Sequence, residues 1–172
     1  MELIKEQCCC FTGHRLLSAI EKEKLRVLLR EEIERLMEKG FTTFLSGGAL
    51  GFDTLAAQEV LRLRAERPGQ IALVLVLPCL GQESRWAERD AAVYHDLIRS
   101  ADEVIYTGDV YGPGCMFVRN RYLVDRSSLC LCCLRESAAR GGTAYTVKYA
   151  QKQGIPVVNL AEELNRDQDS PF

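Results

Sequence analysis

Short apolar runs alternate with longer amphipathic segments along most of the chain, and this alternation constrains the fold more than any other feature. The apolar runs, which have the length of strands, fall at residues 8–11, 42–45, 71–77, 103–106, 129–134 and 156–159. The segments between them have helical length and spacing, at residues 18–39, 51–65, 84–100, 116–125 and 143–153. Strands that alternate with helices pair in parallel, and right-handed crossovers cover both faces of the sheet. The sequence therefore predicts an α/β fold, a doubly wound parallel sheet of about six strands.

The domain boundaries follow from the same pattern. A chain of 172 residues is long enough to bury a core without disulfides or metals. Residues 1–160 are predicted to form one domain, and the polar segment 161–172 is predicted to be a mobile tail. The first long helix has clear end signals, because Ser18 and Glu21 have the spacing of a capping box and Gly40 follows the last helical position.

Charge and hydropathy exclude several classes of partner. The chain has 22 basic and 24 acidic residues and a net charge of -2, which argues against a nucleic-acid partner. No apolar run reaches the roughly 18 residues that span a bilayer, and residues 1–6 lack the apolar stretch of a signal peptide. The sequence predicts a cytoplasmic protein with no membrane partner.

Eight cysteines are unusual in a chain of this length. They stand at positions 8, 9, 10, 79, 115, 130, 132 and 133. Because most of them lie in predicted strands, we interpret them as small core hydrophobes in a reducing compartment. A metal site or redox chemistry are the alternatives; no metal and no required cofactor are predicted.

The segment 46–53 (SGGALGFD) is the strongest signal for a binding site. It follows a strand and opens a helix, so that Gly47 and Gly48 can turn the backbone and present amides to a phosphate. Ser46 belongs to the same loop, Gly51 permits a close approach, and Asp53 can accept a ribose hydroxyl. The spacing is neither GxGxxG nor that of a P-loop, whose lysine is missing. The alternative is a tight strand–helix turn in which Asp53 only caps the helix.

Further candidate segments follow other predicted strands, at the sheet edge where ligands bind in such folds. After the first strand, Thr12 and Gly13 are followed by His14, a candidate acid–base or a local hydrogen bonder, and Arg15, which can reach an anion. The helix 116–125 carries Arg119, which can bind phosphate or lie on a solvated helix face.

Before the last long helix, Gly141, Gly142 and Thr143 repeat the arrangement of flexible backbone, hydroxyl and helix N-terminus. Trp86 lies four residues after Gln82 and either stacks on a base or packs in the core.

In their order along the chain, these motifs resemble those of YpsA-like proteins in the SLOG superfamily. The resemblance extends over residues 8–160 and rests on 12–15, 46–53, Gln82 with Trp86, 114–116, 119–127 and 141–143. It implies a Rossmann-like fold and a nucleotide-derived ligand, including ADP-ribose-like molecules, bound by a sensor or by an enzyme. It leaves a homodimer possible. The superfamily also includes the DNA-processing protein DprA and the LOG phosphoribohydrolases.

The LOG enzymes cleave an N-glycosidic bond and use an arginine together with a glutamate three residues after a Gly-Thr pair. Arg119 matches the arginine, whereas Thr146 stands at the glutamate position. A threonine cannot supply the carboxylate. The resemblance therefore favours a binding or sensor module for a phosphate-bearing nucleotide; the alternative is a nucleotide hydrolase or phosphoribohydrolase that uses Arg119 and Asp53.

Overall fold

The computed structural model describes residues 1–166 and contains one six-stranded parallel sheet with the strand order β4-β3-β2-β1-β5-β6. The strands are β1 (Cys8–Gly13), β2 (Thr43–Ser46), β3 (Ala72–Leu77), β4 (Glu103–Tyr106), β5 (Leu129–Cys133) and β6 (Val157–Asn159). The helices are α1 (Ala19–Glu38), α2 (Phe52–Glu66), α3 (Glu88–Ser100), α4 (Cys115–Asp125), α5 (Gly142–Lys152) and α6 (Ala161–Arg166). A short 3₁₀ turn, Lys5–Gln7, precedes β1. The predicted fold class is confirmed.

The sheet is doubly wound, and its strand order reverses beside β1. β1 pairs with β2 on one side and with β5 on the other. Helices α1, α2, α3 and α6 pack on one face, whereas α4 and α5 pack on the opposite face. Because the chain leaves β1 and β5 toward opposite faces, a crevice opens between their carboxyl ends.

Helix α1 begins and ends as its sequence predicts. Ser18 Oγ accepts a hydrogen bond from the Glu21 amide (3.1 Å), and the Glu21 carboxylate accepts one from the Ser18 amide (2.7 Å). Both bonds satisfy amides that lack a partner within the helix. At the other end, Gly40 has a φ of +93°, a conformation that glycine adopts without strain.

Seven of the eight cysteines are buried in the core, which confirms the packing interpretation for them, and Cys115 is partly exposed. All eight thiols are free. Cys130 and Cys133 have C-x-x-C spacing, yet successive strand residues point to opposite faces of a sheet. Cys130 faces α4 and α5, and Cys133 faces the other layer. In the part of the chain that the structure describes, no three His, Cys, Asp or Glu side chains are grouped to hold a metal ion.

Two boundaries differ from the sequence prediction. Helix α3 begins at Glu88 instead of residue 84, because residues 81–86 form tight turns and Ala87 is extended. The segment predicted as a polar tail begins with α6, whose Ala161 and Leu164 are buried against the core. Because the other residues of this short helix are polar, its two buried apolar residues do not give a helical periodicity that can be recognised in the sequence. Residues 167–172 of the predicted tail lie outside the described residues. No helix among residues 1–166 is long and apolar enough to cross a membrane.

Candidate functional site

A cavity of about 770 Å³ opens where the strand order reverses. Four parts of the chain line it: the end of β1 with the loop after it, the loop before α2 with the first turn of that helix, the loop before α4 with the first turns of that helix, and the loop before α5 with its first turn. This volume lies within the usual range for small-molecule sites. The reversal point of a doubly wound sheet is also where ligands bind in such folds.

The structure brings eight of the twelve predicted binding residues to this cavity. They are Thr12, Gly13, Arg15, Asp53, Arg119, Gly141, Gly142 and Thr143. The other four, Ser46, Gly47, Gly48 and Gly51, do not line it. The segment 46–53 therefore contributes Asp53 and Ala49 to the wall, while its glycines lie behind it.

Packing explains why the first part of this glycine-rich loop lies behind the wall. Ser46 is fully buried; its hydroxyl accepts from the Gly48 amide (3.2 Å) and donates to the Asp53 carbonyl (3.0 Å). A Cβ on Gly47 would lie 2.5 Å from Nη1 of Arg119, and a Cβ on Gly48 would lie 2.9 Å from the Leu77 side chain. These glycines permit close packing, and the Gly48 amide is already occupied.

The start of α2 also packs closely against the loop after β1. A Cβ on Gly51 would lie 2.4 Å from the carbonyl oxygens of both His14 and Arg15. A Cβ on Gly13 would lie 2.3 Å from the Phe52 ring. The Phe52 amide donates to the His14 carbonyl (3.1 Å), so that the start of α2 holds the loop that carries Arg15.

Asp53 and Arg119 form the buried electrostatic centre of the cavity wall, with side chains from α2 and α4. Arg119 is 4% exposed, and Asp53 is 6% exposed. The guanidinium donates to the Gly47 carbonyl (2.5 Å) and to the Asn120 side-chain oxygen (2.8 Å). Among residues 1–166, the hydrogen-bond acceptor of its Nη2 is the Met116 sulfur, at 3.7 Å, a weak acceptor. Nη2 is therefore the part of the cation best able to bind a ligand oxygen.

The carboxyl of Asp53 has an unusual environment. Burial raises its pKa to about 6, against the lowering effects of Arg119, the Ala49 amide and Arg15. Its Oδ1 is buried and has no hydrogen-bond partner in the structure. A buried carboxylate oxygen without a partner is costly, so this atom is suited to accept a hydrogen bond from a ligand hydroxyl.

Two helix N-termini reach the cavity without side-chain caps. Helix α4 follows Gly114 (φ +76°), and α5 follows Gly141 (φ +106°). Residues of both first turns line the cavity, including Gly142 and Thr143. An uncapped helix N-terminus carries a partial positive charge, which favours an anion. In α4, however, the Cys115 amide already donates to the Gly112 carbonyl (3.2 Å) and the Phe117 amide to the Gly114 carbonyl (3.0 Å). The N-terminus of α5 is thus better suited to a phosphate than the loop before α2, to which the sequence analysis assigned it.

Other side chains that the sequence analysis singled out make contacts within the protein, and His14 is the first of them. His14 lines the cavity, and its Nε2 accepts from the Arg135 amide (2.9 Å). Burial, followed by the charge of Arg135, lowers the pKa of His14. It is a neutral hydrogen-bond acceptor that joins the loops after β1 and β5.

Trp86 packs edge-on against Tyr94, with ring centroids 5.1 Å apart, and does not line the cavity. Thr146 is fully buried and donates to the Gly142 carbonyl (2.7 Å), one turn earlier in α5. Neither side chain reaches the cavity.

Sequence reasoning missed Arg140 and the lining residues before Arg119. Arg140 is exposed in a polar loop, where no periodicity distinguishes it. Cys115, Met116 and Phe117 line the cavity because the first turn of α4 faces it. With Arg15 and Arg119, Arg140 gives the cavity three cations, against the one carboxylate of Asp53.

Comparisons with known proteins agree with this architecture. The family model YpsA, described as the YspA SLOG family, matches residues 12–158. A UPF0398 protein of Halalkalibacterium halodurans is 33% identical over 143 residues, which cover 82% of this chain and 72% of the relative. A UPF0398 protein of Oceanobacillus iheyensis is 28% identical over 143 residues, or 81% and 76% of the two chains.

Two solved structures share the fold. The first is the DNA processing protein A of Helicobacter pylori, described for its binding of single-stranded DNA. It has a TM-score of 0.62 and 18% identity over 97% of this chain and 75% of that one. The second, TM1055, has a TM-score of 0.57 and 18% identity over 93% and 81%. At this identity the likeness concerns the fold alone.

Proposed function

The chain belongs to the YspA SLOG family, and from that premise we propose that its cavity binds a phosphate-bearing, nucleotide-derived small molecule. The ligand class is a nucleoside phosphate or an ADP-ribose-like molecule, and the protein acts as a sensor or regulatory module. The carrying observation is the buried pair of Asp53 and Arg119 on the wall of a cavity that two uncapped helix N-termini enter.

Each part of the ligand has a matching group. A phosphate is best held by the amides of Gly142 and Thr143 at the start of α5, with neutralisation by Arg15 and Arg140. A ribose hydroxyl is suited to Oδ1 of Asp53, which lacks a partner. Arg119 Nη2 can then bind a further ligand oxygen. The excess of cations over carboxylates favours an anionic ligand over a neutral nucleoside.

The test is a thermal-shift measurement with nucleoside mono- and diphosphates, ADP-ribose and NAD, with inorganic phosphate and the matching nucleosides as controls. A ligand at 100 times its Kd adds about 2.7 kcal/mol, which for a domain of this size raises Tm by about 5–10 °C. A panel in which no nucleotide raises Tm, or in which the nucleoside alone is as effective, would contradict the proposal.

Matched arginine variants locate the site. Arg15→Gln and Arg140→Gln change exposed side chains on the cavity wall, so the fold should tolerate them. Arg121→Gln is the control, because Arg121 is exposed on α4 but bonds to the Tyr145 hydroxyl outside the cavity. The ligand-induced shift should fall in the first two variants and persist in the control. Equal shifts in all three would place the ligand elsewhere.

A second candidate, hydrolysis of a nucleotide, is favoured by one observation. The pKa of Asp53, raised by burial to about 6, lies close to the range in which a carboxyl can both give and take a proton at neutral pH. In this reading Asp53 would assist cleavage of an N-glycosidic or phosphate bond, while Arg119 would hold the substrate. Release of free base or sugar phosphate, measured by chromatography, would support it, and loss of that release in Asp53→Asn would assign the group.

The same thermal-shift panel also tests for a nucleic-acid ligand. The Helicobacter neighbour is described for binding single-stranded DNA, so a short single-stranded oligonucleotide belongs among the ligands. Our proposal requires that a mononucleotide is sufficient. A shift seen only with the oligonucleotide, and lost at moderate salt, would favour a polynucleotide partner instead.

A further inference from the structure

Two aromatic side chains on the cavity wall are exposed to solvent. Tyr111, in the loop before α4, is 74% exposed, and Phe117, near the start of α4, is 43% exposed. Both line the cavity. A single exposed aromatic ring is ordinary on a protein surface. Two such rings on the wall of one cavity give it an apolar surface that a ligand can cover.

The segment 111–117, which carries both rings, differs in chemistry from the rest of the wall. Its sequence is YGPGCMF, with no charged side chain and no side-chain amide. The charged groups of the cavity, which are Arg15, Asp53, Arg119 and Arg140, all come from outside this segment. A wall with one apolar part and one charged part matches a ligand in which a planar ring is joined to an anionic group.

The ring of Phe117 is supported from outside the cavity. Its centroid lies 4.5 Å from that of Tyr145 on α5, and the two rings meet edge to face at 63°. This is a favourable geometry for an aromatic pair. Because Tyr145 does not line the cavity whereas Phe117 does, the contact holds the Phe117 ring on the wall and leaves it open to a ligand.

A tight turn connects the two rings. The Cys115 amide donates to the Gly112 carbonyl (3.2 Å), and Gly114 has a φ of +76°. This turn leads from the loop that carries Tyr111 directly into the first turn of α4. Tyr111 and Phe117 therefore belong to one continuous stretch of the wall.

We propose that Phe117 and Tyr111 form a stacking subsite for the aromatic base of the ligand. This inference rests on the proposed function and deepens it, because it assigns the base to the part of the wall that phosphate and ribose do not use. Stacking on an aromatic ring uses the face of a base and tolerates any base. Since the segment 111–117 has no charged or amide side chain to bind a base edge, the subsite accepts purines and pyrimidines alike and discriminates against a sugar phosphate that has no base.

The test is isothermal titration calorimetry of the folded protein with AMP, UMP and ribose 5-phosphate. Stacking of one base strengthens binding by about 5- to 150-fold. Wild type is therefore expected to bind AMP and UMP at least about fivefold more tightly than ribose 5-phosphate. Phe117→Leu and Tyr111→Leu should each weaken binding of both nucleotides by at least about fivefold and leave the affinity for ribose 5-phosphate unchanged.

Three control variants separate stacking from general effects on the fold. Tyr111→Phe keeps the ring and should keep the nucleotide affinity of wild type. Tyr106→Leu and Val118→Ala change side chains that are 42% and 44% exposed but do not line the cavity, so they should change no affinity. Unaltered binding of ribose 5-phosphate in the two test variants shows that the charged part of the wall is intact.

Several results would overturn the stacking subsite. In wild type, AMP or UMP that binds no more tightly than ribose 5-phosphate would do so while leaving the proposed phosphate binding intact. Unchanged nucleotide affinity in either leucine variant would do so as well, and an equal loss for ribose 5-phosphate would mean that the ring only maintains the shape of the cavity. Binding of none of the three would also overturn it, and the thermal-shift panel decides separately whether the proposed function fails.

Discussion

Gly51→Ala is expected to be strongly destabilising, and Gly69→Ala provides its matched control. Both glycines have a φ of +78°, so alanine at either site incurs the cost of a positive φ, about 1–2 kcal/mol in the left-handed helical region. At Gly51, where ψ is -121°, the backbone lies outside that region and the cost is at least as large. They differ in their surroundings: a Cβ at Gly69 meets nothing within 4 Å, whereas a Cβ at Gly51 lies 2.4 Å from two backbone oxygens, those of His14 and Arg15. Those carbonyls must move by about 1 Å to restore ordinary contact, at an overpacking cost of about 1–3 kcal/mol.

The assay is thermal and urea unfolding of the two variants beside wild type. A change of 1 kcal/mol shifts Tm by about 2–4 °C in a domain of this size. We expect Gly69→Ala to lower Tm by about 4 °C and Gly51→Ala by about 10 °C. Because the displaced loop carries Arg15 on the cavity wall, Gly51→Ala should also weaken nucleotide binding, which Gly69→Ala should leave unchanged. Equal Tm values for the two variants would refute the argument that Gly51 serves close packing of α2 on the β1 loop.

Three further predictions concern pH and the start of α1. The raised pKa of Asp53, about 6, means that the folded state binds a proton that the unfolded state releases. As pH rises from 4 to 7, the unfolding free energy of wild type should therefore fall by about 3 kcal/mol relative to that of Asp53→Asn. If urea unfolding gives the same free-energy difference between the two proteins at every pH, this prediction is wrong. The lowered pKa of His14 acts in the opposite sense, because unfolding free energy is lost as pH falls through about 6.5. The variant His14→Gln retains a hydrogen-bond acceptor but does not titrate, so the same urea titration should show no such loss at acidic pH. Ser18→Ala should cost about 1 kcal/mol in unfolding free energy, while Ser84→Ala, at an exposed position, should change it little.

The fold followed from the sequence because each strand and helix carries its own local signal. β3 is apolar throughout and is buried on both faces, and the capping box at Ser18 starts α1 at the predicted residue. Helix α6 was missed because two apolar residues in a polar segment give no periodicity. The start of α3 was missed because residues 84–87 carry no sequence signal against a helix, although residues 84–86 lie in tight turns and Ala87 is extended.

The site was predictable in its residue types and less so in their roles. Asp53, Arg119 and Gly142 were identified because a doubly wound sheet brings successive strand ends to one edge. The roles of Gly47 and Gly48 were not predictable, because a glycine that presents its amide to phosphate and a glycine that admits a neighbouring side chain look alike in sequence. Only the three-dimensional contacts, Arg119 against Gly47 and Leu77 against Gly48, distinguish the two.

The unpartnered Oδ1 of Asp53 connects the pH behaviour of the protein with its proposed ligand. If a ligand hydroxyl donates to this oxygen, the bond stabilises the carboxylate, so that ligand binding lowers the pKa of Asp53 and releases a proton below about pH 6. Affinity must then rise with pH through that range, whereas the contribution of Asp53 to the stability of the free protein falls over the same range. Opposite slopes for nucleotide affinity and for unfolding free energy, both absent in Asp53→Asn, would establish a direct ligand contact. Parallel slopes would mean that Asp53 affects binding only through the stability of the cavity wall.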